Sequence, residues 1–184
     1  MKVQVEEKLI IESQFHGHNM PKGLEGCKFL RCKFDGSSDF KNCCLNDAIF
    51  EECQLDDVDF SSAAGMKRIS FDRCELRQVN FERKKLYDVK ISNSSVLNCN
   101  FSRAALHDAE LREVNFSGSD FSGSIWSCTH FYKCNLASCQ TVRTRSTMIS
   151  AVELCTNVPE NVRKKACSNI DIARAAAKLY QTVC

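Results

Sequence analysis

The chain has 184 residues, is 43% hydrophobic and 26% charged, and carries a formal net charge of +2 at pH 7. That length allows one main domain with caps, and no stretch approaches the ~18 consecutive apolar residues of a membrane-spanning helix. The opening Met1 to Lys8 lacks the apolar run of a secretory signal, so a cytoplasmic protein is expected, in a bacterium or in a host cell if the chain is exported.

The first residues already carry a spacing of five. Ile10, Phe15 and Met20 keep it, but Lys8, Ser13 and His18 stand two positions before them where later repeats have small side chains. Residues 1–23 are therefore expected to form an imperfect first coil that caps the N-terminal end, closed by the break from Pro21 to Gly23.

From Leu24 the spacing becomes strict. Leu24, Phe29 and Phe34 lead to Phe40, Leu45, Phe50, Leu55 and Phe60, and from Phe71 to Leu136 every fifth residue is apolar without exception. At 43% hydrophobic content, fourteen consecutive hits in that last register arise by chance on the order of once in 10⁵. Eleven of the twelve Phe occupy these positions. The register slips by one residue across Asp35, Gly36 and Ser37, and again across Ala63, Ala64 and Gly65, where small residues suit bulged corners. A period of five matches neither a helix, which returns near 3.6, nor a strand, which alternates at 2. It requires a chain that turns a corner every few residues.

Two positions before each large apolar residue lies a second restricted slot, holding Cys27, Cys32, Cys43, Ala48, Cys53, Val58, Cys74, Val79, Cys99, Ala104 and their successors. Eight of the thirteen cysteines, including Cys134 and Cys139, fall in this slot. A thiol there packs as a compact apolar group, so the high cysteine count reads as core rather than as disulfide or metal chemistry. Unpaired thiols at this density suit a reducing compartment.

Segments such as Val58-Asp59-Phe60-Ser61-Ser62 and Val114-Asn115-Phe116-Ser117-Gly118 closely resemble the pentapeptide repeat family. The resemblance covers residues 24–141. It implies a mainly β, right-handed quadrilateral β-helix with one repeat per side and four per coil, here about six coils. It also implies two functional classes. One is a non-catalytic interaction module, such as a bacterial effector or adaptor, that presents a rigid surface to a protein partner. The alternative is a DNA mimic that binds DNA gyrase or topoisomerase IV and protects it from quinolones or toxins.

Charge is distributed in blocks. Residues 35–59 hold eight acids against Lys41, a net of −7, and residues 67–90 hold eight bases against four acids, a net of +4. Asp47, Glu51, Glu52, Asp56 and Asp57 form the candidate partner-binding acidic patch, set against a self-complementing surface as the plain reading. The 16 basic and 17 acidic residues between Lys22 and Thr141 weigh against a rod that is acidic along its length. Basic residues interleaved with acids, and few accompanying aromatics, weigh against direct nucleic-acid binding. Lys84 is the local misfit, because it stands in the small slot before Leu86. A bulge or a side chain that reaches out to water is expected there.

No catalytic residues, cofactor or metal are expected. His16 and His18 bracket Gly17 and have thiols nearby in Cys27 and Cys32, but those thiols are accounted for as core. His107 beside Asp108, and His130 near Tyr132, fall on outward positions. No glycine phosphate loop, nucleophile elbow or zinc-type histidine pair is present.

After Cys139 the repeat fades, and residues 142–184 are expected to leave the solenoid as a C-terminal helical segment. Pro159 suits the first turn of one helix, and Ile170, Ala173, Ala177 and Tyr180 would lie on one face of another. That segment reads as a cap over the last coil, with homodimerisation or partner docking as the alternatives. Cys155, Cys167 and Cys184 stand outside the repeat slots and are the thiols expected to react or pair.

Overall fold

A computed structural model describes residues 8–17, 20–146 and 151–163. Within them the large apolar positions and the small ones both turn inward, and the chain winds as a four-sided right-handed β-solenoid. One face carries eight parallel strands, with order Leu9–Ile11, Lys28–Leu30, Ile49–Glu51, Ser70–Asp72, Lys90–Ser92, Glu110–Arg112, His130–Tyr132 and Ala151–Glu153. The next face carries five, from Gln14–Phe15 to Ser95–Leu97, and another carries four, from Lys85–Tyr87 to Arg145–Ser146. The remaining side is held by single bridges running Asp59, Asn80, Asn100, Asp120 and Gln140. Eight stacked strands at ~4.8 Å make a rod about 34 Å long.

The ladder registers explain the two slips. Phe29, Phe50 and Phe71 stack at intervals of 21 residues, whereas Phe71, Ile91, Leu111 and Phe131 stack at 20. An extra residue at Gly36 and at Gly65 therefore lengthens a corner without breaking the vertical alignment. The corners themselves rely little on glycine. Residues such as Arg31, Asp47, Glu52, Asp57, Arg68 and Arg73 adopt φ between 52° and 60°, a left-handed conformation that costs ~1 kcal/mol for a side-chain-bearing residue. Each is offset by its own N–H, as where Arg31 donates to Glu51 O and Glu52 donates to Asp72 O, both at 2.9 Å.

The interior is layered. Phe60, Phe81, Phe101 and Phe121 stack at 5.4, 4.8 and 4.9 Å, and each is essentially inaccessible to water. Burying such a side chain contributes ~1.5–3 kcal/mol. The small slot forms a second column, in which cysteine both accepts and donates. The Cys32 N–H donates to Cys53 Sγ at 3.4 Å, and the Cys53 thiol donates to Phe29 O at 3.3 Å. Cys27, Cys32, Cys43, Cys53, Cys74, Cys99 and Cys134 are buried and free, while Cys139 is only half-buried.

The structure departs from the sequence reading at the far end. The solenoid does not stop at residue 141. Phe131 pairs with Val152, and Asn135 bridges to Thr156. Cys155 consequently occupies the small slot of this last coil, where its thiol donates to Phe131 O at 3.4 Å and accepts from the Cys134 N–H at 3.3 Å. The reading of Cys155 as a thiol outside the repeat is therefore corrected. Polar Thr141 and Ser146 stand in the central slots of this coil, with Val152 six residues beyond Ser146, so both the apolar signal and the phase are lost. At the front, Ile10 and Phe15 are only partly buried against the core, and Met20 is fully buried. Helix begins at Glu160, immediately after Pro159. Ile170, Ala173, Ala177 and Tyr180, with Cys167 and Cys184, lie outside the described residues.

Candidate interaction surface

Since both restricted slots of each repeat point inward, function falls to the three outward positions. Stacking brings outward residues 20 or 21 apart in sequence to within one strand spacing, so the surface is organised in vertical columns. One corner column reads Glu12, Arg31, Glu52, Arg73, Asn93, Glu113 and Lys133. Its charges largely alternate, and ion pairs form at 3.0 Å between Arg31 and Glu12, 3.3 Å between Arg73 and Glu52, and 3.0 Å between Lys133 and Glu113.

The acidic patch is divided by this arrangement. Asp47 receives a two-pronged contact from the Arg68 guanidinium at 2.6 and 2.7 Å, and those hydrogen bonds hold its carboxyl below the usual range. Glu51 accepts from Lys28 at 2.6 Å and also contacts Arg73. The Lys28 bond lowers its carboxyl in the same way. Glu52 shares Arg73, which also reaches Asp72. Asp56 and Asp57 are exposed and, among the described residues, form no ion pair. The five carboxylates thus do not present one continuous acidic face: three are matched by cations of neighbouring coils, and Asp56 and Asp57 remain at the end of the strand Gln54–Asp56 and the corner after it. Replacing Arg73 with Glu would set a fourth carboxylate beside Glu51, Glu52 and Asp72. A drop of a few degrees in thermal midpoint is expected, larger than for Arg73→Gln, and equal midpoints would remove Arg73 as the link between coils.

The described histidines, His16, His107 and His130, lie apart from one another. His16 contacts Asp35, and the Ser37 hydroxyl and His16 together hold that carboxyl down at about 2. His107 meets the Tyr87 ring edge-on at 4.8 Å, and His130 is exposed. His18 is outside the described residues. Among the described residues, no group of three or more His, Cys, Asp or Glu side chains is arranged to hold a metal ion.

A feature not foreseen as a unit lies on the other side of the rod. Asn46, Ala64, Gly65, Lys67, Arg83, Lys84 and Lys85, with Met66 at the base, line a half-open recess of about 380 Å³. Lys84 continues the small column between Ala63 and Ala104 without a bulge and donates from Nζ to Ala63 O at 2.6 Å. The side chain therefore reaches toward the rim rather than distorting the corner. The signal in the sequence was the basic run from Lys67 to Lys90 together with the Lys84 misfit. Convergence of Lys67 with Lys85 required the 20-residue stacking.

Two family models match the sequence in succession, one described as pentapeptide repeats (9 copies) over residues 24–64 and one as a pentapeptide repeat region over residues 64–140. Together they cover well over half of the chain. The chain is a pentapeptide repeat protein. Among solved structures, this pentapeptide repeat protein is similar to a trypsin-treated variant of QnrB1, a plasmid-mediated fluoroquinolone resistance protein, at 16% identity and a TM-score of 0.64. That match covers 82% of this chain and 74% of the other. Rfr23, a pentapeptide repeat protein from the cyanobacterium Cyanothece 51142, aligns at 12% identity over 78% of this chain and 90% of its own, with a TM-score of 0.34. At 16% identity the likeness to QnrB1 is one of fold. No curated protein sequence matches significantly. No helix among the described residues is long and apolar enough to cross a membrane.

Proposed function

We propose that this pentapeptide repeat protein is a non-catalytic interaction module, a bacterial effector or adaptor that presents a rigid surface to a protein partner in the cytoplasm. The observation that carries this reading is the column structure of the surface. Outward side chains stand at fixed ~4.8 Å intervals on a hydrogen-bonded ladder, so a partner meets a preorganised array and little ordering entropy opposes binding.

Asp56 and Asp57 are the acidic residues best suited to a partner, because the carboxylates of Asp47, Glu51 and Glu52 are already engaged by Arg68, Lys28 and Arg73. The residues 164–184 are a second candidate contact, for a partner or for a second copy of the chain. The gyrase or topoisomerase IV reading is supported by the fold likeness to QnrB1. It is weakened by the internal neutralisation of most of the acidic patch, since a DNA mimic needs unmatched negative charge along the rod.

Affinity capture with the full chain, in parallel with Asp56→Lys/Asp57→Lys, tests both readings. The double variant is expected to melt like the wild type and to lose most of the captured partner. Recovery of gyrase or topoisomerase IV by the wild type would favour DNA mimicry. Equal recovery of a partner by both proteins would reject the Asp56 and Asp57 contact.

A further inference from the structure

We propose that the recess between Lys67, Arg83, Lys84 and Lys85 is a binding site for a diphosphate group, whether as free pyrophosphate or as part of a nucleoside diphosphate.

The shape follows from the second register slip. Gly65 sits where the next coil has Lys85, and it lies against Asn46; a Cβ on Gly65 would stand 2.7 Å from Asn46 Oδ1. Asn46 packs into the space that side chain would fill, and Gly65 with Ala64 beside it borders a hollow of about 380 Å³, within the range of small-ligand sites. The hollow lies at the level of the slip.

The charge of the recess differs from that of the paired columns. There a cation stands over a carboxylate of an adjacent coil, as in Arg68 with Asp47, Arg73 with Glu52 and Lys133 with Glu113. Here four cations and no carboxylate line one hollow. Arg83 contacts Glu82 at 3.4 Å, outside the lining, but Lys67, Lys84 and Lys85 have no carboxylate within 4.0 Å among the described residues. Gathered like charges repel unless a counter-anion joins them, and a diphosphate with three to four negative charges matches the set.

Lys84 supplies the most specific part of the argument. Its slot is held by Ala63 below and Ala104 above, both buried, so a lysine there loses hydration with no packing gain that alanine would not give. Burial lowers its ammonium from the ordinary range, partly opposed by Asp59. One of its three N–H donors is taken by Ala63 O at 2.6 Å, which leaves two for an anion. Lys67 and Lys85 are exposed on either side, and the Asn46 amide adds a neutral hydrogen-bonding group.

Isothermal titration of the full chain with inorganic pyrophosphate, ADP, adenosine and sulfate at fixed ionic strength tests the assignment. Pyrophosphate and ADP should bind at one saturable site and adenosine should not bind. Tighter binding of ADP than of pyrophosphate identifies the nucleotide as the source; equal binding identifies the free diphosphate. Lys84→Ala restores a small residue, so its thermal midpoint should not fall, while its affinity should drop about tenfold or more through loss of charge-assisted hydrogen bonds. Lys67→Gln/Lys85→Gln alters only exposed side chains and should weaken binding to a similar extent, which keeps the test valid even if the Lys84 variant misfolds. Arg103→Gln, outside the lining, should bind as the wild type does. The proposal is overturned by absence of saturable pyrophosphate binding at millimolar concentration, by sulfate binding equally well, by preference for a poly-glutamate peptide, or by unchanged affinity in the recess variants.

Discussion

Leu111→Asp is expected to abolish cooperative unfolding of the rod. Leu111 is 1% exposed, at the centre of the strand Glu110–Arg112, with Ile91 on one side and Phe131 on the other in the ladder. The substitution removes ~2 kcal/mol of apolar burial and places a carboxyl where no donor is positioned to receive it, a further cost of several kcal/mol. A total above ~5 kcal/mol is comparable with the whole stability of an average domain. In a solenoid the loss is not confined to one coil, because each coil buries its apolar edge and its hydrogen bonds on its neighbours. Leu111→Met, of similar volume, should cost less than ~1.5 kcal/mol. Circular dichroism melts distinguish the two, and an unchanged cooperative transition for the Asp variant would show that the five-residue register does not define the core.

Alkaline destabilisation is the second large effect, and its sign follows from the cysteines. Burial pushes the Cys99 thiol up to about 12 and Cys139 up to about 11, from a reference value of 9.0. Burial likewise raises Cys27, Cys32 and Cys43. Unfolded chains release these protons near pH 9 while the folded chain retains them, so above pH 9 the unfolded state binds fewer protons and stability falls. The stabilisation is fully present below pH 9 and is lost as pH rises through 11 toward 12. Lys84, Cys53 and Cys155 work in the opposite direction, since their lowered folded values make the unfolded state the better proton binder, but the two thiols do so below pH 9, ahead of the alkaline loss. Each pH unit costs up to ~1.4 kcal/mol per fully titrating thiol, so Cys99 alone removes about 2 kcal/mol between pH 9 and 11. Urea midpoints measured under reducing conditions at pH 8, 9, 10 and 11 should decline steeply over the last two steps. Cys99→Ser keeps a hydrogen-bonding group in a column that already contains Ser119, whose hydroxyl accepts from the Cys99 N–H at 3.1 Å; that variant should show a shallower decline. A flat profile in the wild type would mean that the thiols are not protected by the core.

The repeat was legible because a solenoid writes its cross-section into the chain. Five residues make one side, the same two of every five point inward, and a narrow core admits only a large residue at one of them and a compact one at the other. Phe29 to Leu136 and their small partners therefore announce the β-solenoid without any contact being known. The outward positions of His107 and His130 were readable in the same way.

The last coil was not. Thr141 and Thr144 are buried in it, and Cys155 donates to Phe131 O, yet polar central residues and a six-residue step from Ser146 to Val152 hide the pattern from any five-residue template. Vertical pairing, which rests on backbone hydrogen bonds and tolerates either side chain, carries the ladder on to Thr156.

The sequence by itself determined the architecture of the core and most inward residues from Leu24 to Leu136, because those depend on neighbours five residues away; at the second slip the structure decided that Ala63 and not Ala64 turns inward. Only the tertiary structure decided which charges meet. Glu51 and Arg73 belong to blocks of opposite sign when read along the chain, but they are adjacent when read down the rod, and the same stacking separates Asp56 and Asp57 from their neutralised neighbours. It also gathers Lys67, Arg83, Lys84 and Lys85 around the hollow at Gly65. Surface chemistry in this fold is set by contacts 20 or 21 residues apart, and each one-residue slip changes which pairs those are.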